Sequence, residues 1–257
     1  MKSNYRYIVK AFMAMAVIAG TTSCDDFLDR EPMSSISPET YYSTAAQLEA
    51  NLNDEYPNVL PSFGQWTYGI FGEDKGTDNQ IEVNANDRYT QDRWKVPHSE
   101  SDNWKFERIY RINFFLSEAL PKFGEDMSGS QNTISGSVAT IKHYIGEMYF
   151  LRAYEYFKKL QLFGDFPIIN QPLADEMEAL REASKRFPRN EVARFIISDL
   201  DKAYAYMSDV DMATTRINKD AAMLVKSRVA LFEATWLQNF KGLSLIHISE
   251  PTRLRCI

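Results

Sequence analysis

An all-α chain built from helix pairs in series is the fold class the sequence predicts, and three observations predict it. Residues 141–170, IKHYIGEMYFLRAYEYFKKLQLFGDFPIIN, carry apolar or aromatic side chains at helical spacing across more than one face. Similar spacing recurs around residues 41–56, 104–120, 190–207 and 218–236. No segment keeps the sustained alternation of a half-buried strand. The order is helix after helix, in pairs along the chain.

The chain opens on Lys2, Arg6 and Lys10, then a short apolar run at residues 11–20. Ten apolar residues are too few to span a bilayer, so residues 1–23 are expected to be a signal peptide and not an anchor helix. Thr21-Thr22-Ser23-Cys24 resembles a bacterial lipoprotein box, although a leucine is more usual where Thr21 stands. In that reading Cys24 is the lipidated first residue of the mature chain. Asp25-Asp26 resembles the acidic signal that sends Bacteroidetes lipoproteins to the cell surface. The cysteine count agrees: Cys24 and Cys256 are the only two, which leaves no disulfide framework and no thiolate metal site.

Residues 25–37 are polar and broken by Pro32, as a tether would be. Pro38-Glu39-Thr40 is expected to open the first helix with Ser37 as N-cap, to bury Tyr41, Ala45, Leu48 and Leu52, and to end near Tyr56-Pro57. The second helix is expected from Trp104 to Leu120, stopped by Pro121, with Ile109, Ile112, Phe115 and Leu116 inside. A Gly/Ser-rich turn at residues 128–136 leads to the long central helix. There His143, Glu147, Glu155 and Lys158 recur every three or four residues or a multiple of that spacing, and the reading is one narrow solvated stripe. Gly164-Asp165-Phe166-Pro167 stops that helix with a glycine and a nearby proline. Asn190–Met207 places Val192, Phe195, Ile196, Leu200, Ala203 and Tyr204 on one face. Asn218 starts the last helix, expected to bury Ala221, Leu224, Val225, Val229, Leu231, Phe232 and Trp236.

Residues 57–103 differ from the rest. They are rich in Gly, Pro, Asn and Asp, and three of the four tryptophans lie in or beside them. Ordered loops of this length are uncommon unless they carry function. Trp66, Trp94 and Trp104, with Tyr68, Phe71 and Tyr89, supply flat apolar faces. Asp78, Asn79 and Arg93 stand among several other donors and acceptors. A sugar ring offers an apolar C–H face and a rim of hydroxyls, which this mixture suits. The competing reading is that the tryptophans pin a long loop to the helices.

Composition excludes several classes. The formal net charge is −6 even though residues 1–23 contribute only positive charge, so the body is acidic and has no basic stripe for nucleic acid. An enzyme is not indicated. His98 and His143 are the only histidines before residue 243, with no second ligand at metal spacing, and neither a nucleophile elbow nor a phosphate-binding glycine loop is present. Glu73, Asp74 and Asp78 imitate a glycosidase pair, but clustered acids in such a loop are more often solvated. No cofactor is implied.

Five stretches in order resemble the SusD/RagB family of Bacteroidetes. Gly146-Glu-Met-Tyr-Phe-Leu-Arg-Ala-Tyr-Glu-Tyr-Phe157, with Leu162-Phe-Gly-Asp-Phe-Pro-Ile-Ile169, resembles its first tetratricopeptide-type helix. Phe195-Ile-Ile-Ser-Asp-Leu-Asp-Lys-Ala203 and residues 216–236 resemble the next two. Residues 24–32 resemble its mature N-terminus, and residues 104–113 the helix before the repeats. The resemblance implies an outer-membrane lipoprotein at the cell surface that caps a SusC-like TonB-dependent transporter and delivers nutrients to it. The ligand is usually a glycan and sometimes a peptide. It also implies that Thr77-Asp78-Asn79 and Trp94 fall where part of the ligand site lies in the starch-binding archetype. Trp66, Asp78, Asn79, Arg93 and Trp94 are therefore the candidate ligand residues, with Cys24 the lipidation site.

Family members continue well past this length. Residues 243–253 resemble the translation of a transposase sequencing adapter, so 24–242 is expected to be the N-terminal part of a SusD-like domain and 243–257 a non-native tail. His247 and Cys256 are set aside accordingly. Three functions remain open at this point: glycan capture, peptide capture on the same scaffold, and a helical-repeat scaffold for protein partners.

Overall fold

Among the residues described by the computed structural model, 41–61, 103–124, 126–208 and 215–240, the chain forms six helices and two isolated bridges, with no strand. The helices are α1 (Ala45–Val59), α2 (Glu107–Phe123), α3 (Val138–Phe163), α4 (Met177–Ala183), α5 (Arg189–Tyr206) and α6 (Lys219–Asn239). The all-α expectation therefore holds. Expectations that fall in 1–40, 62–102 or 241–257 lie outside the described residues.

The central helix is α3. It packs most extensively on α5, then on α1 and α2, while α6 lies mainly against α5. Its residues Ile141, Ile145, Met148, Leu151 and Tyr156 are fully buried. Most of its charged residues are buried too. His143, Glu147, Arg152, Glu155 and Lys159 are all at or below 6% exposure, so at His143, Glu147 and Glu155 the solvated stripe is corrected to a seam of buried ion pairs, while Lys158 is 33% exposed. The reason is that α3 packs against α1, α2 and α5, and each of these five groups meets a partner from outside its own helix.

Local chemistry sets the helix ends. Thr44 and Gln47 form a reciprocal capping box at α1. Helix α1 thus begins at Ala45, after a turn at Tyr42 and Ser43, and the expected opening at Pro38 lies outside the described residues. Ser137 caps α3, and Asn218 caps α6 by accepting from Ala221 N–H at 2.9 Å. Pro57 and Pro121 do not stop their helices, which run on to Val59 and Phe123. A proline there costs one i−4 hydrogen bond. The carbonyls so freed belong to the exposed Asn53 and Ser117, within reach of solvent.

Gly164, at φ +69°, closes α3. The next residue, Asp165, accepts from Arg189 N–H at 2.9 Å and so caps α5 from a distance. Phe166 is fully buried among Trp104, Phe106, Tyr156 and Phe163, and its backbone exchanges two hydrogen bonds with Phe187. The stop of α3 and the start of α5 are therefore one structure.

Three burial expectations change. Tyr204 is exposed where Tyr206 is buried, and Leu224 and Leu231 are exposed on α6. Helix α6 has its main neighbour on one side, so Ala222, Val229 and Glu233 form its buried line.

Gly146 sits where α3 lies against the C-terminal end of α5. An added Cβ would meet Met207 N at 2.8 Å and Ala203 O at 2.9 Å, both backbone atoms. Helix propensity alone gives Gly→Ala a gain of about 1 kcal/mol. The clash reverses the sign: Gly146→Ala is expected to destabilise by about 1–3 kcal/mol, read from the urea midpoint. A midpoint at or above wild type would show that the helices separate without cost.

Candidate functional site

The sequence-derived ligand residues Trp66, Asp78, Asn79, Arg93 and Trp94, and the lipidation residue Cys24, lie outside the described residues. What the structure describes is the frame from which the 62–102 stretch departs and to which it returns.

The described residues on either side of that stretch meet α3. At the outgoing end, Lys158 donates through Nζ to the backbone oxygen of Val59, the last residue of α1. At the returning end, Lys159 donates through Nζ to the backbone oxygen of Asn103 at 2.6 Å. Beneath both lies Glu155, 2% exposed, with Lys159 Nζ at 3.3 Å, Lys158 Nζ at 3.7 Å and Arg108 Nη1 at 3.8 Å. Burial pulls the Lys158 ammonium below the ordinary lysine value; Glu155 opposes this, and the charges of Arg108 and Lys159 add to it. Sequence reasoning missed this group. Its one signal was a Lys-Lys pair set in an otherwise apolar stretch of helix.

Trp104, read from sequence as one of the flat faces, serves as an anchor. Its ring stands edge-on to Phe106, Phe163 and Phe166 at 5.7, 4.8 and 4.8 Å, and the Arg186 guanidinium lies 4.7 Å from its centroid. The pinning reading is the right one for this tryptophan.

Two further clusters tie the frame together. Glu147, fully buried, receives Arg216 Nε and Nη2 at 2.8 Å each and the Tyr56 hydroxyl at 2.6 Å. His143 Nδ1 accepts from Ser208 N–H, which places the ring proton on Nε2, near Glu147 Oε1 and the Ile217 carbonyl. Arg152 pairs with Asp199 in a two-bond fork at 2.7 and 2.8 Å. Each of these carboxylates is already held by an arginine. Among the described residues no three His, Cys, Asp or Glu side chains are placed to hold a metal ion.

One cleft of about 280 Å³ lies beside the start of α2, walled by Phe106, Ile109, Tyr110, Ile169, Leu173 and Leu180. Its lining is overwhelmingly apolar, with Gln171 and Asp175 as its polar members. It offers few hydrogen bonds to a hydroxylated ring.

Residues 26–231 match a family model described as SusD-like, starch-binding and associating with the outer membrane. Two SusD-like proteins of Formosa agariphila are 25% and 26% identical over 83% and 88% of this chain, and the matches cover 41% and 43% of those proteins. The chain therefore spans less than half the length of the curated relatives it matches. Among solved structures, a SusD-like protein of Bacteroides fragilis superposes with a TM-score of 0.55 at 20% identity, over 80% of this chain and 39% of that one. A SusD-like carbohydrate-binding protein of the same species gives 0.52 at 19% identity, over 77% and 39%. At these identities the likeness is one of fold, the same helical scaffold.

Proposed function

Because the chain belongs to the SusD-like family, starch-binding and associated with the outer membrane, we propose that it captures glycans at the cell surface and passes them to a partner SusC-like TonB-dependent transporter. Capture is noncovalent: rings stack on aromatic plates, hydroxyls bond to amides and carboxylates, and no bond is broken. Cys24 carries the lipid that holds the protein to the outer membrane. Trp66 and Trp94 supply the plates, and Asp78, Asn79 and Arg93 the polar contacts.

Besides the family, one observation carries this reading. The stretch that bears all five candidate residues is flanked by Val59 and Asn103, whose carbonyls accept from consecutive lysines of the central helix. A rigid scaffold that presents an irregular segment is the common arrangement for binding residues.

The test is Trp66→Ala and Trp94→Ala in the full chain, titrated calorimetrically with starch-derived and other oligosaccharides. By analogy with stacked bases, each lost platform is expected to cost about 1–3 kcal/mol of affinity. Unchanged affinity in both variants would defeat the stacking mechanism. Binding of extended peptides that ignores both substitutions would move the assignment to peptide capture. Binding to the transporter alone would favour a protein-interaction scaffold.

A further inference from the structure

We propose that the cleft between the start of α2 and α4 is a docking site for a second protein, one that presents a large apolar side chain flanked by arginine. The proposal stands apart from glycan capture, for which the cleft is poorly furnished.

The cleft holds about 280 Å³, just below the range of about 300–1,000 Å³ usual for small-molecule pockets. That suits one side chain reaching in from a larger surface better than it suits a sugar chain. One wall is built in advance. The Tyr156 hydroxyl donates to the Ile169 carbonyl at 3.0 Å and accepts from the Ile169 N–H at 2.8 Å, and Asn113 Nδ2 donates to the same carbonyl at 2.8 Å. Phe106 is stacked on the buried Phe166 with 5.2 Å between ring centroids, and Ile109 is buried. A wall already in place lowers the ordering cost that a partner meets on binding.

The opposite wall is α4, and none of its seven residues is buried. Leu180 lines the cleft at 42% exposure, and Met177, one turn earlier on the same side of the helix, is 82% exposed. Tyr110, which lines the cleft from α2, is 52% exposed. A single exposed apolar side chain means little. Several gathered round a cleft and rimmed by polar residues mark an interaction surface.

Charge selects the class of partner. Asp175 lines the cleft, Glu176 stands one turn before Leu180, and Glu107 one turn before Tyr110. All three are exposed and form no ion pair among the described residues. No lysine or arginine among the described residues lines the cleft. The two arginines of α2 are engaged elsewhere, Arg108 with Glu155 and Arg111 with Asp54 and Glu55. An acidic rim round an apolar seat attracts a guanidinium, which meets a carboxylate through two parallel hydrogen bonds. The same rim repels an acidic partner or an anionic lipid surface.

The probe is the end-blocked peptide Gly-Arg-Phe-Arg-Gly, titrated into the isotope-labelled full chain and followed by amide chemical shifts. Gly-Arg-Ser-Arg-Gly and Gly-Glu-Phe-Glu-Gly are the comparisons. The first peptide is expected to shift the amides of residues 106–110 and 169–180 and to bind at least about tenfold more tightly than either comparison. Leu180→Gln, and separately Asp175→Asn with Glu176→Gln, are each expected to weaken it by about five- to tenfold. All three positions are exposed, so the fold is not at stake. Equal binding of the serine peptide would show that no ring is seated and would overturn the site. Equal binding of the glutamate peptide would overturn the basic partner. Shifts confined to other regions, or none with any peptide, would overturn docking at this cleft. Shifts at the same amides with phosphatidylglycerol vesicles and with no peptide would replace the protein partner by a membrane surface.

Discussion

Asp199→Ala is expected to destabilise the protein by about 3–5 kcal/mol, because it strands the buried charge of Arg152. Arg152 is 3% exposed and Asp199 is fully buried. The guanidinium gives Nε and Nη2 to the two carboxylate oxygens, and Nη1 to Asn113 Oδ1 at 2.9 Å and to the Asn170 carbonyl at 3.1 Å. The rings of Tyr149 and Phe195 lie 5.2 and 5.3 Å away. Burial lowers the affinity of the guanidinium for its proton, but the hydrogen bonds and charge of Asp199 outweigh it and hold Arg152 above the ordinary arginine value. Once Asp199 is gone, two neutral acceptors face a full positive charge with no water to share it. The pair as a whole is a different matter. Arg152→Met with Asp199→Leu removes both charges at once and is expected to recover most of the loss, since a buried pair and an apolar isostere are often close in energy. Urea denaturation of the two variants makes the comparison. A loss below about 1 kcal/mol for Asp199→Ala would mean that water reaches the pair and that α3 and α5 are less tightly closed than drawn.

The sequence made some of this legible and hid the rest for definite reasons. The extent of α3 could be read because Gly164 and Pro167 punctuate its end and its apolar residues keep helical spacing. The cap at Asn218 was equally plain. The burial of Glu147 and Glu155 was not. Polar residues at helical spacing look alike whether they face water or an arginine from another helix, and Arg216 and Arg108 are far away along the chain. The prolines misled because the rule that proline ends a helix weighs one lost hydrogen bond as decisive; at Pro57 and Pro121 the freed carbonyl belongs to an exposed residue and the loss is small. Asp165 read as part of a stop signal, and it also caps α5, a role that only the return of the chain at Arg189 reveals. As for the site, aromatic and amide composition singled out Trp66, Asp78, Asn79, Arg93 and Trp94. Lys158 and Lys159, which donate to the carbonyls of Val59 and Asn103 on either side of that stretch, carry the most ordinary of surface side chains.

Glu147→Ala is expected to cost about 3–5 kcal/mol and to loosen three elements at once. Its carboxylate is the meeting point of α1, α3 and the chain that enters α6. Tyr56 of α1 donates to Oε2 and in turn accepts from Ile217 N–H at 3.1 Å. Arg216 spans both carboxylate oxygens and sends Nη1 on to Glu49 and Asn53 of α1 at 3.3 and 3.1 Å. The guanidinium rests 4.7 Å from the Tyr144 ring centroid, inside the network and not at its edge. Removing the carboxylate leaves Arg216 half-buried with a lone partial counter-charge at Glu49, and leaves the Tyr56 hydroxyl proton without an acceptor. Glu147→Gln tests which of these losses dominates. Glutamine keeps an oxygen for Tyr56 or for Arg216 but not for both, and it brings no charge, so about 1.5–3 kcal/mol of loss is expected. If charge were irrelevant and only shape mattered, Glu147→Gln would match wild type in urea. Hydrogen exchange separates the network from a merely local defect. In Glu147→Ala the amides of α1 and of the first turn of α6 are expected to lose protection together, while those of α5, which Glu147 does not touch, fall only with global stability. Loss confined to α3 would show that Glu147 fills space in its own helix and joins nothing.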